Sequence, residues 1–182
     1  VGETERADLH TRSTASHPEY VALGILSDGP LHGYELYRRF RATLGGLWRI
    51  SESQMYAILK RLEARGLVSG AEFEKGTAAA RRRLSLTVEG RGLLETWLAE
   101  TSPCTPRSLR LEFITRLHFV RSLHPDRAAG VLEAQRAAVA AEAARAGAAR
   151  PGGGIDGLAA SFRKRQLEAA LEWIEGIDRS AD

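Results

Sequence analysis

Ser53, Ala57, Lys60 and Ala64 fall on one side of a 3.6-residue period, flanked by Gln54, Tyr56 and Arg61. A hydroxyl and an amide can pair with base edges, Gln best with adenine, and a small alanine lets that side come close to another body. Tyr, Lys and Arg are types that hold phosphate oxygens. Further along, Lys75 and then Arg81-Arg82-Arg83 make a cationic finger suited to phosphate or a minor groove. Ser51, which opens the stretch, belongs to the same surface. The chemistry offered is recognition of a polyanion, without bond making. The plain alternatives are a solvated helix face and a charged guard on a sheet edge. A face turned only to water usually carries long charged residues, and this one carries small ones beside a cationic hairpin. That combination favours DNA.

Residues that make or break bonds are not arranged for it. There is no phosphate-cradling glycine loop before a helix, no nucleophile elbow and no pair of histidines at metal spacing. His118 and His124 are six residues apart, which turns them away from each other on a helix. Cys104 is the only cysteine and stands near two prolines with no adjacent histidine, which excludes an internal disulfide and a thiolate zinc site within one chain. No catalysis, metal or cofactor is expected.

The elements that must position the recognition residues are punctuated clearly. Tyr20 to Leu26 reads as a short buried helix behind Pro18, stopped by Asp28-Gly29-Pro30. A second helix covers about 33–44, with Leu36, Tyr37, Phe40 and Leu44 on one face, and Gly45-Gly46 ends it. The third runs over about 52–65. Ser51 and Gln54 form a capping box, Ile50 and Met55 a hydrophobic staple, and Gly66 sits where a left-handed residue closes a helix, with Leu67 packing back on Leu62. Met55, Ile58, Leu59 and Leu62 give it one apolar stripe. Strands over 67–74 and 81–86 follow, joined by 75–80, and Thr87 caps a fourth helix whose inner face carries Leu93, Leu94, Trp97 and Leu98. Helix, turn, helix and hairpin in this order describe a winged helix-turn-helix.

The 182 residues suit one large or two small domains, with a hydrophobic fraction of 43% and a charged fraction of 27%. Residues 1–16 lack apolar periodicity and read as a tail without a signal pattern; 17–100 form the winged-helix domain, and Ser102-Pro103-Cys104-Thr105-Pro106 opens a helical domain over 101–182. No run approaches a membrane span, so a cytoplasmic protein is expected. Of 26 basic residues only Lys60, Lys75 and Lys164 are lysine, within a net charge of +3. A codon bias that enriches Arg, Ala and Gly together explains the number of arginines; their clustering carries the information.

Beyond the boundary, helices are expected over about 107–122, 126–146 and 157–179, with a flexible loop at 147–157. The last has two apolar seams, Leu158, Phe162, Ala169, Trp173 and Ile177 on one and Leu167, Leu171 and Ile174 on the other. Helices apolar on more than one side need more than one partner. A second copy of the chain is the expected one, with Leu158, Phe162, Leu167, Leu171, Trp173, Ile174 and Ile177 in the dimer contact. The competing reading closes these helices on the first domain.

Leu31-His32-Gly33-Tyr34-Glu35-Leu36, the Ser51 to Leu67 segment with Tyr56-Ala57-Ile58-Leu59-Lys60-Arg61-Leu62-Glu63, and Leu86-Thr87-Val88-Glu89-Gly90 together resemble the PadR family of bacterial transcriptional regulators. These pieces cover about half of the chain; residues 107–179 are similar in layout only. The resemblance implies a mainly α fold, a winged helix-turn-helix with a two-stranded wing followed by an all-helical dimerisation domain. It implies a homodimeric repressor on double-stranded DNA with an inverted-repeat operator, released by a small aromatic or hydrophobic effector. The wing tip departs from the family, with Ala78-Ala79-Ala80 where many members carry proline. Trp97, Phe113 and His118 are candidates for an effector pocket by type and approximate place. A MarR-like or other winged-helix regulator, or a winged-helix module for protein contact, is the alternative.

Overall fold

The computed structural model describes residues 17–71, 82–148 and 154–179. The chain divides into two compact units, one within Ser16–Glu100 and one built on Thr101–Asp182. The first contains α1 (Glu19–Leu26), β1 (Leu31–His32), α2 (Gly33–Thr43), α3 (Glu52–Ala64), β2 (Val68–Ala71), β3 (Arg83–Leu86) and α4 (Val88–Ala99). Six successive residues of α1, Val21 to Leu26, are buried, because α2, α3 and α4 all pack around it. Tyr20 stacks on Trp97 of α4, with ring centroids 4.5 Å apart and planes 7° from parallel.

The sheet is antiparallel in the order β1-β3-β2, pairing Leu31 with Leu84 and Val68 with Leu86. The expected two-stranded wing therefore has a third strand at its root. Two residues are too few to show alternation in a sequence. Their extended state follows from the cap beyond them: the His32 N–H donates to Glu35 Oε2 at 2.9 Å, so α2 starts only at Gly33.

Both ends of α3 are closed by local chemistry. The Ser51 N–H donates to Gln54 Oε1 at 2.8 Å, and the Gln54 N–H donates to Ser51 Oγ at 3.3 Å. At the far end Gly66 adopts a φ of +69°, the Leu67 N–H reaches the Leu62 carbonyl and the Gly66 N–H the Glu63 carbonyl, both at 2.9 Å. This is the Schellman arrangement, which glycine adopts without a Cβ penalty. Thr87 then joins three pieces: its hydroxyl donates to the Gly66 carbonyl at 2.8 Å and accepts the Gly90 N–H at 3.0 Å, capping α4. A Cβ on Gly90 would lie 2.0 Å from the Leu67 carbonyl oxygen, so only glycine lets α4 come this close.

In the second unit a helix over 106–123 (α5) begins with Pro106–Ser108, widens into a π-helical turn at Leu109–Phe113 and continues as Ile114–Leu123. The wider turn shifts the phase of the side chains after it, which a plain 3.6 period over 107–122 does not anticipate. A 3-10 turn, Pro125–Arg127, leads into α6 (Ala128–Ala148), and α7 (Gly154–Arg179) packs along it. Leu109, Phe113, Leu117, Leu132, Val139, Leu167 and Ile174 form the core. Ser102, expected in a boundary loop, is buried and held. Its N–H donates to Gln135 Oε1 at 2.7 Å, its carbonyl accepts from Gln135 Nε2 at 3.0 Å, and its hydroxyl accepts from the buried Arg116 guanidinium. No helix among the described residues is long and apolar enough to cross a membrane.

Candidate nucleic-acid interface

With Met55, Ile58, Leu59 and Leu62 buried, α3 leaves Ser51, Ser53, Gln54, Tyr56, Ala57, Lys60 and Arg61 exposed. The sequence-derived face is thus one surface. Its chemistry differs in one respect. Gln54 Oε1 already accepts the Ser51 N–H, which leaves the Nε2 donors and one Oε1 lone pair for an outside partner. The cap thus holds the amide that would pair with adenine. Ser53 Oγ lies 3.1 Å from Ser51 Oγ, within hydrogen-bond distance of the capping hydroxyl.

The Tyr56 ring packs over the start of α2. A Cβ added to Gly33 would lie 2.6 Å from Tyr56 Cε1, which explains in contact terms why glycine stands at 33 and an aromatic at 56. His32 and Tyr34 stack beside them, with centroids 5.9 Å apart and Tyr34 about half exposed (48%). Glu35 accepts the His32 N–H, which holds its carboxyl below the usual carboxylate range, and the nearby His32 and Arg83 charges add to that. The sequence reading assigned this corner only to a helix start. It missed His32 and Tyr34 as surface neighbours of α3, although their motif was the available signal.

Ion pairs divide the cations. Arg61 is held by Glu19 at 3.2 Å and Arg82 by Glu63 at 2.9 Å. Lys60 and Arg83 are exposed and form no ion pair among the described residues. Lys75 and Arg81 lie outside the described residues, as do the Ala78 to Ala80 tip and the tail at 1–16.

The remaining candidates sit elsewhere. Trp97 is buried against Tyr20, and Phe113 is fully buried with Trp173 edge-on to it at 6.1 Å, so each is core within its own unit; His118 is exposed beside Phe119. The expected dimerisation set also divides. Leu167 and Ile174 are 1% exposed and fill the unit's own core because α6 covers that side of α7, with Leu171 and Ile177 packed against it. Leu158, Phe162 and Trp173 face outward, at 69%, 65% and 43% exposure. An open groove of about 490 Å³ lies between α5 and α7, lined by Leu109, Ile114 and Trp173 among others, with Cys104 at one side. Burial raises the Cys104 thiol pKa. Among the described residues no group of His, Cys, Asp and Glu is placed to hold a metal ion.

Residues 22–96 match the model of the transcriptional regulator PadR-like family. The chain is 30% identical over 117 residues to the negative transcriptional regulator PadR of Bacillus subtilis (strain 168), a match over 64% of each chain. It is 40% identical over 77 residues to an uncharacterized 37.1 kDa protein in transposon TN4556 of Streptomyces fradiae, 42% of this chain and 21% of that one. These matches span less than two thirds of the length of the curated relatives. Among solved structures, that of Bacillus subtilis PadR in complex with operator DNA is 25% identical, with 90% of this chain and 98% of that one covered at a TM-score of 0.45. The same protein's complex with p-coumaric acid is 24% identical over 88% and 95%, at a TM-score of 0.42.

Proposed function

We propose a function for a chain that belongs, through residues 22–96, to the transcriptional regulator PadR-like family: it is a homodimeric repressor that inserts α3 into the major groove of an inverted-repeat operator. The observation that carries this reading is the exposed face of α3. Its small residues, Ser53 and Ala57, permit close approach, and Lys60 beside them is exposed without an ion pair among the described residues. The buried stripe and two closed ends make the helix a rigid probe. In this reading Ser53 and Gln54 face base edges, Tyr56, Lys60 and Arg61 fix register on phosphates, and Arg83 with Lys75 and Arg81 holds the flanking backbone.

Release by a small aromatic or hydrophobic compound rests on the family resemblance alone, as does action in the bacterial cytoplasm. The first test is binding to a random-sequence duplex at low and at high salt, followed by a footprint on the gene's own promoter. Retention at low salt that falls steeply with salt, and protection of two half-sites about 10 bp or a multiple apart, are expected. A single asymmetric half-site, or indifference to duplex DNA at low salt, overturns the reading. p-Coumaric acid, bound by the Bacillus subtilis protein, is the first compound to try as a releasing agent.

A further inference from the structure

The Arg82 guanidinium crosses Gly70 of β2 to reach Glu63 in the last turn of α3. Its Nη1 donates to Glu63 Oε2 at 2.9 Å and its Nη2 to Oε1, a two-pronged fork. A Cβ on Gly70 would lie 2.2 Å from Arg82 Nε and 2.5 Å from its Cζ, so glycine at 70 is what leaves room for the fork. On the other side, the Arg82 carbonyl lies 3.3 Å from His32 Nδ1. Arg82 stands one residue before β3, and within the strand the exposed Arg83 and the buried Leu84 point to opposite faces.

We propose that Arg82 is a positioning residue that fixes the root of the wing to the end of α3, and that it is not a phosphate contact. The proposal rests on the reading of α3 and the wing as a DNA-binding surface. Glu63 is an anion on the helix that would meet a polyanion. Moving Arg82 onto a phosphate would leave that carboxylate uncompensated beside DNA, so the exchange gains little. Kept on Glu63, Arg82 cancels the repulsion and sets the angle between the reading helix and the strand that carries Arg83.

The test uses the full chain with Arg82→Ala, Glu63→Gln, Gly70→Ala and the swapped pair Arg82→Glu with Glu63→Arg. Two quantities are read: hydrogen exchange of the Arg83–Leu86 amides without DNA, and affinity across a salt series for a duplex selected from a random library. Each single change should speed exchange and weaken affinity on the order of threefold to fivefold, with the salt slope unchanged. The swapped pair should restore both. Tighter binding by Glu63→Gln, a slope lowered by about 0.9 for each protomer in Arg82→Ala, or unaltered exchange in all the single variants overturns the proposal. If the unaltered protein retains no duplex, the DNA-binding reading itself fails, and the exchange measurement still decides whether this pair holds the wing root.

Discussion

At the scale of single residues, the proposed function gives the surface of α3 groups that add charge and groups that discriminate. Lys60→Ala should weaken binding to cognate and random duplex alike and flatten the salt dependence by about 0.9 for each protomer, measured by a salt titration. Gln54 has two duties, because its oxygen caps α3 while the exposed side chain keeps its amide donors for a partner. Gln54→Glu keeps a capping oxygen and removes the donors. It should leave the melting temperature nearly unchanged while costing about 1–3 kcal/mol of discrimination at one base position. Glu35 supplies a pH dependence. Its carboxyl is lowered by the His32 N–H, so its stabilisation is present above the ordinary value of 4.5 and is lost as pH falls through the folded-state value. Thermal melts between pH 3 and 6, on the order of that carboxylate range, should show a shallower acid decline in Glu35→Gln than in the parent protein.

At the scale of elements, the three family-like pieces of sequence prove to be one joint. Leu86 to Gly90 closes on Gly66-Leu67 through Thr87, and Leu31 to Leu36 receives Tyr56 at Gly33. Gly90→Ala puts a methyl against the Leu67 backbone, which cannot swing aside as a side chain would. A loss of about 1–3 kcal/mol is expected from denaturant unfolding, with the midpoint moving and the slope constant. Gly33→Ala meets a ring instead of backbone. It should displace Tyr56 and reduce DNA affinity more than it reduces stability, a contrast that Gly90→Ala reverses.

At the scale of the whole molecule, α7 offers a test of assembly because its two faces differ in burial. Leu167 lies in the core of its own unit, and Leu167→Ala should cost about 2–5 kcal/mol of stability. Leu158 and Phe162 are exposed, and the double change Leu158→Glu with Phe162→Glu should leave the fold intact while converting a dimer to a monomer in sedimentation. In the proposed dimer two half-sites are bound together, so the same variant should lose operator binding with α3 unaltered. Monomeric behaviour of the unaltered chain would remove the dimer from the proposed function and leave the first unit's surface standing.

Helix starts and stops were legible in the chain because caps act over three or four residues: Ser51 with Gln54, Gly66 with Leu67, and Thr87 with Gly90 need no distant partner. The apolar stripe of α3, and hence its outward face, follows from helical period alone. What the sequence could not carry was any pairing across long separation. The cap of α2 extends Leu31–His32, but these residues become a strand of the sheet only because β3 returns beside them, and Gln135 reaches Ser102 only once α6 is in place. Neither is written in local propensity, because two or three residues hold no period and a buried amide looks like any other glutamine. The same limit applies to α7. Two seams of similar composition were legible, but packing against α6 and α5 decided that Leu167 and Ile174 turn inward and that Leu158 and Phe162 are left to water.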